Sequence, residues 1–189
     1  MSEIRVETVY FAEAGAANTQ RTFEIARNRA QELEIETILV ATTRGDTGAA
    51  AARYFEGFNL VVVTHSTGFR GPNTQELVGE RREEILAHGA TILTATHAFG
   101  GVGRAVRRRL NTYQTEEIIA FALRVLGEGV KVACEMALMA ADAGLARTDE
   151  EVIAIAGTGR GADTAVVLQP AHAQDFFSLR VKEILCKPR

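Results

Sequence analysis

The chain has no tryptophan, only three prolines and only two cysteines in 189 residues. So few cysteines exclude a disulfide-stapled scaffold. Cys134 and Cys186 stand far apart without metal-type spacing, so they read as reduced intracellular thiols and no metal site is expected. Nothing rich in proline, serine or glycine divides the chain, and one domain over residues 1–189 is expected. A one-sided charge is missing as well: 21 Lys+Arg stand against 24 Asp+Glu, a formal net charge of −3. That balance supplies no electrostatic footprint for nucleic acid or an anionic membrane, and neither is expected as a partner. No apolar run approaches the ~20 residues of a membrane span. The opening residues lack the basic start and apolar stretch of a secretion signal. The expected setting is therefore the cytoplasm.

What is present is a repeated unit: a short aliphatic run, a loop of Gly, Thr and Ser, then an amphipathic helix, which is the syntax of βα units on a parallel sheet. Strands are predicted at residues 6–11, 36–41, 59–64, 91–95, 151–156 and 164–169, with a last one at 176–186 where alternation and helical spacing mix. Helices are predicted from Asn18 or Thr19 to about residue 33, then over 47–55, 74–88, 115–126 and 130–143, with an Arg-rich segment ending near Leu110. Pro170 follows the loop at 157–163 so closely that a strand is the only element that fits between them.

In an open parallel sheet, small molecules bind outside the carboxyl ends of the strands, where backbone N–H groups and helix N-termini converge. Three loops there combine glycine, hydroxyl and arginine. The first is Thr42, Thr43, Arg44, Gly45, Asp46, Thr47 and Gly48, whose amides and hydroxyls at a helix start suit an anion. Asp46 and Thr47 also read as plain N-caps, although capping does not explain Arg44 or two consecutive threonines. The second loop, residues 64–74, offers His65 as a proton donor or hydrogen-bonding group and Phe69 and Arg70 to pack on a planar ring; the alternative is that His65 ends the strand and Phe69 plugs the core. The third is Gly157, Thr158, Gly159, Arg160, Gly161 and Ala162. It matches a dinucleotide fingerprint in letters, but a strand follows where that motif needs a helix, so an anion nest or tight turn fits better, with Asp163 available to hold Arg160.

His97 occupies a fourth strand end, beside Arg104, Arg107, Arg108 and Arg109, which read first as a solvated face or subunit contact and otherwise as a partner for an acidic group or phosphate. Glu135, in an apolar helix, reads as a paired structural carboxylate, since burying an unpaired charge is costly.

The stretch at 42–55, TTRGDTGAAAARYF, resembles the C-terminal α/β domain of pyruvate kinase, where a Thr/Ser-rich loop and its helix form the pocket for a phosphorylated effector. The whole chain is similar to the stand-alone pyruvate kinase α/β-domain-like proteins through VVVTHSTGFRGPN (61–73), ATHAFGGV (95–102), KVACEMALMAADAGL (131–145), EEVIAIAGTGRGADTAVVLQPA (150–171) and FFSLRVKEILCKPR (176–189). The resemblance implies a three-layer α/β/α fold, its sheet mostly parallel with one antiparallel strand near the C-terminus. It also implies bound flavin mononucleotide (FMN). In that reading Thr42, Thr43, Arg44, Gly45 and Thr47 take the phosphate beside Asp46. His65, Thr67, Gly68, Phe69 and His97 surround the ring, Glu13 and Asn18 lie at the edge, and Gly157, Thr158, Gly159 and Arg160 line the far loop. Arg44 and Asp46 depart from the commoner S-G-E-T form of the first loop.

Pyruvate kinase activity is not expected, because 189 residues leave no room beside this domain for a catalytic barrel of roughly 250 residues. Similarity to a regulatory domain carries a fold and a pocket, and no reaction. The expected function is FMN binding, with oxidoreductase chemistry supplied by the flavin. The alternative is a noncatalytic sensor of a phosphorylated metabolite. A hydrolase or isomerase with His65 or His97 as acid/base ranks behind both, having no nucleophile of recognisable spacing. The aliphatic sheet and Arg-rich segment are compatible with a homo-oligomer.

Overall fold

The computed structural model describes residues 3–189. Seven strands form one sheet: β1 (Val9–Phe11), β2 (Thr37–Ala41), β3 (Asn59–Thr64), β4 (Thr91–Thr94), β5 (Val152–Ala156), β6 (Thr164–Gln169) and β7 (Arg180–Pro188). Their spatial order is β1-β7-β6-β5-β2-β3-β4. Every neighbouring pair is parallel except those made by β6, which runs against both β5 and β7. The antiparallel strand is therefore the one forced by Pro170.

Side chains alternate across this sheet and decide which helix covers which face. Ile38, Val40, Val62, Ile153, Ile155 and Val167 face α1 (Thr19–Glu32), α2 (Asp46–Tyr54) and α3 (Gly79–Ala87), where Phe23, Phe55 and Ile85 are fully buried. Leu39, Val61, Ala154, Val166 and Leu168 point the other way onto α6 (Glu128–Asp142). Both faces are covered, as the continuous aliphatic runs of the central strands require. The helix α6 is apolar nearly all round because a second face, at Cys134 and Leu138, is buried beneath α5 (Thr115–Arg124) and Phe99. Its N-terminal turn presses on β6: a Cβ on Gly129 would lie 2.2 Å from Thr164 Oγ1. Gly129→Ala is therefore expected to cost about 1–3 kcal/mol through overpacking, although alanine is the better helix former by about 1 kcal/mol. An unchanged urea midpoint would show that α6 shifts freely at this contact.

Three boundaries differ from the sequence reading. The first strand begins at Val9. The third helix begins at Gly79, five residues late, because residues 65–78 form an ordered loop pinned by Gly68 N donating to Thr74 O (2.8 Å) and Val78 N to Arg44 O (3.1 Å). The last strand runs over Arg180–Pro188, preceded by a 3-10 segment, Ala173–Ser178, whose Phe176 packs edge-on against Phe99. That contact explains the mixed periodicity there. The Arg-rich segment is a helix, α4 (Gly101–Leu110). Both cysteines are buried and unbridged, and burial pushes each thiol up to about 11, keeping it protonated at neutral pH. Among the described residues no helix is long and apolar enough to cross a membrane.

Candidate functional site

At the carboxyl edge of the sheet, chain paths diverge beyond β2 and β5, since β2 feeds α2 on one face and β5 turns back into β6. A cleft of about 950 Å³ opens there, walled by the loops after β2, β3, β4 and β5 and by the first turns of α6.

The loop after β2 folds on Thr42. Its hydroxyl accepts hydrogen bonds from Gly45 N (3.1 Å) and Gly48 N (3.3 Å), so Thr42, not Asp46 or Thr47, serves the start of α2. Gly45 is the residue before the helix at φ 105°, and a Cβ there would strike Arg81 Cβ at 2.4 Å. Glycine is needed at this turn for backbone shape and packing. Thr43, Arg44, Asp46 and Thr47 line the cleft. Asp46 also accepts from Arg81 Nε at 3.1 Å, and Arg44 has no carboxylate partner among the described residues.

Beyond β3, His65 Nδ1 lies 2.7 Å from Glu76 Oε2, while Arg70 Nε donates to Glu76 Oε1 at 3.3 Å. Burial draws the Glu76 carboxyl upward, but the His65 and Arg70 contacts outweigh it and hold it below its ordinary value. Phe69 packs against both histidines in a three-ring cluster, its centroid 4.1 Å from His65 and 5.0 Å from His97 with the two histidines 5.3 Å apart, and the Arg104 guanidinium sits 4.6 Å from the Phe69 ring. The fold thus brings His65, Phe69 and His97, from the loops after β3 and β4, together at the cleft. The Arg-rich helix divides: Arg104 turns into the cleft, while Arg107 pairs with Glu117 at 2.6 Å.

The floor is a buried charge cluster that joins α6 to the loop after β4. Glu135, 4 % exposed, accepts Lys131 Nζ on Oε2 at 2.5 Å and Phe99 N on Oε1 at 3.1 Å. His97 Nδ1 is 3.6 Å from the same Oε2. Burial raises the carboxyl, yet His97 and the Lys131 ammonium prevail and bring it down to about 2. Glu135 is thus paired, as the sequence reading had it, and its partners Lys131 and His97 both line the cleft.

At the far wall, Asp163 corrects one expectation. It is fully buried and does not hold Arg160. Its Oδ2 accepts Gly15 N (2.9 Å) and Thr158 N (3.1 Å), and its Oδ1 accepts the Thr164 hydroxyl (2.9 Å), tying the loop after β5 to the one before α1. Gly157, Gly159 and Arg160 line the cleft, with Arg160 unpaired among the described residues. Asn18 and Thr19 do not cap α1 by side chain: Asn18 Nδ2 donates to Glu13 O (2.7 Å), and Thr19 Oγ1 takes Ala162 N (3.0 Å). Glu13, Asn18, Gly45, Thr67, Gly68 and Thr158 lie off the cleft wall. The sequence reading did not include Arg124, Glu128 and Lys131 in the site; an i,i+4 spacing of opposite charges, at 124/128 and again at 131/135, was their visible signal.

Fold and site together define a three-layer α/β domain with a cleft at the carboxyl edge of its sheet. The chain belongs to the family described as pyruvate kinase, alpha/beta domain, whose model matches residues 20–168. Among solved structures it is similar to a pyruvate kinase from Cryptosporidium parvum (12 % identity, TM-score 0.41, 81 % of this chain and 23 % of that one). A structure of pyruvate kinase from that organism in complex with ADP gives 12 % identity, TM-score 0.38, and 88 % and 23 % coverage. The NH3-dependent NAD synthetase of Campylobacter jejuni gives 12 % identity, TM-score 0.32, and 72 % and 54 % coverage. The chain spans about a quarter of the length of the kinases it matches. Superpositions this loose carry nothing about activity.

Proposed function

We propose that the cleft binds a phosphorylated small molecule, and that the molecule is FMN. The observation that carries this is charge. Six Lys and Arg line the cleft against four carboxylates, in a chain whose net charge is −3. Arg70, Arg124 and Lys131 are neutralised by Glu76, Glu128 and Glu135. Arg44, Arg104 and Arg160, each following a different strand, have no carboxylate partner among the described residues, and that is the arrangement an anion would complete.

The residues fit the proposed group. The volume lies within the roughly 300–1,000 Å³ usual for ligand pockets. Thr43, Thr47 and Arg44 at the start of α2 supply hydroxyl and guanidinium donors for a phosphate, while Phe69 and His97 offer aromatic faces for a ring. A bound flavin would itself supply the electron-transfer chemistry, and the protein its orientation. Thr43→Ala combined with Thr47→Ala is expected to weaken FMN binding about 10- to 100-fold, as for loss of charge-assisted hydrogen bonds, and to leave riboflavin binding unchanged. Fluorescence titration of both ligands checks this; equal effects on the two would place the phosphate elsewhere.

One observation favours a second reading, a noncatalytic sensor of a smaller phosphorylated metabolite. Phe69 already packs on both histidines, tilted against His65 and stacked on His97, so a ring ligand must displace it or stack outside it. Sugar phosphates that raise Tm where FMN does not would decide for the sensor.

A further inference from the structure

His97 ends the buried polar network of the cleft on an unused atom. Its Nδ1 faces Glu135, 3.6 Å away, and its Nε2 is buried with no hydrogen-bond partner. The carboxylate is ionised and held from two other sides by Lys131 and Phe99 N. A carboxylate at Nδ1 keeps the ring proton there and leaves the lone pair on Nε2. His65 is built in the same way, with Nδ1 on Glu76 and Glu76 braced by Arg70. Two imidazoles, each backed by a glutamate and carried on a different loop, thus border one cationic cleft with ring centroids 5.3 Å apart. Binding an anion does not require either device.

We propose that His97 and His65 form a proton-transfer centre that isomerises a phosphorylated hydroxy-carbonyl compound, with His97 Nε2 as general base and His65 as its acid partner. This rests on the cleft taking a phosphorylated ligand and does not require that ligand to be a flavin. Phe69 packs on both rings and His97 Nε2 is buried, so the substrate has to take the place of the Phe69 ring; imidazoles this close then address neighbouring atoms of one small molecule, and proton transfer between neighbouring atoms is isomerisation. His97 takes the proton from the carbon beside the carbonyl. The C–H electron pair becomes a C=C bond, the carbonyl π pair moves onto its oxygen, and protonated His65 delivers a proton to that oxygen. In the second half His65 recovers a proton from the adjacent hydroxyl and His97 returns one to the former carbonyl carbon. No oxidant, reductant or water is consumed. Arg44, Arg104 and Arg160 supply positive charge for the phosphate, and Glu135 and Lys131 act through His97 as positioning residues.

The test is deuterium wash-in from D2O, followed by proton NMR, with a set of three- to six-carbon aldose and ketose phosphates. The wild-type protein is expected to exchange the hydrogen beside the carbonyl of at least one of them well above the buffer rate. His97→Gln should lower kcat about 100-fold or more with KM little changed, and should keep the Tm rise given by inorganic phosphate, which shows that it is folded. Glu135→Gln should lower kcat with KM unmoved. If His97→Gln does not fold, His65→Gln carries the same comparison of kcat with KM. Exchange no faster than buffer across the set overturns the proposal, and so does exchange unaffected by the histidine substitutions. A wild-type protein that exchanges deuterium but ignores FMN sinks the flavin reading alone; one that binds FMN without exchange sinks this proposal alone.

Discussion

Lys131→Met is expected to destabilise the protein by about 3–5 kcal/mol at neutral pH, the usual cost of leaving a buried charge without its partner. Both residues of the pair are more than nine-tenths buried, and the Lys131 ammonium meets Glu135 at 2.5 Å. Restoring neutrality with Lys131→Met and Glu135→Gln together should recover most of the loss, because the amide still accepts Phe99 N–H and no charge is stranded. The pH dependence has a definite sign. In the wild type the Glu135 carboxyl is lowered from 4.5 to about 2, so its contribution is fully present above pH about 4.5 and is lost as pH falls toward 2. In Lys131→Met the deficit is greatest near neutrality and narrows on acidification, since a protonated Glu135 leaves no charge unpaired. Urea unfolding from pH 7 down to 3 measures both trends. A single variant as stable as the double would show that the carboxylate finds water or His97 at no cost.

Asp163→Ala is the second large effect. The carboxylate is fully buried and accepts three hydrogen bonds, from Gly15 N, Thr158 N and the Thr164 hydroxyl. Removing it leaves those donors without an acceptor, at about 1–3 kcal/mol for each that water does not reach. A loss of more than 3 kcal/mol is expected. Asp163→Asn should be milder, because the amide oxygen keeps part of the acceptor set. The same change frees the loop that carries Arg160, so if the cleft binds phosphate as proposed, that affinity should fall together with stability. Amide hydrogen exchange at Gly15 and Thr158 reports the local event: protection unchanged in Asp163→Ala would mean that the two loops are held by other contacts, such as Ala162 N on Thr19 Oγ1.

The layout of the fold was legible because its signals are local. Val61, Val62 and Val63 in an unbroken aliphatic run specify a strand covered on both faces, and Pro170 specifies where the strand before it must stop. Boundaries failed where a tertiary contact outweighs local periodicity. Residues 74–78 stay out of α3 because Val78 N is claimed by Arg44 O and because Glu76 holds His65 and Arg70. Phe176 leaves the last strand to pack on Phe99.

The candidate site divides along the same line. That loops rich in Gly, Thr and Arg gather at one edge follows from parallel strands alone, so the sequence determined that the loops after β2, β3, β4 and β5 wall one cleft. The role of each side chain did not follow. Thr42 turns inward to serve its own loop, Asp163 binds backbone in place of Arg160, and Glu135 meets a histidine 38 residues away in sequence. Hydrophobic patterning acts over a few residues and is written in the order of the chain. Hydrogen-bond and charge pairing depend on which loops the completed sheet brings within about 3 Å of one another, and only the tertiary structure decides that.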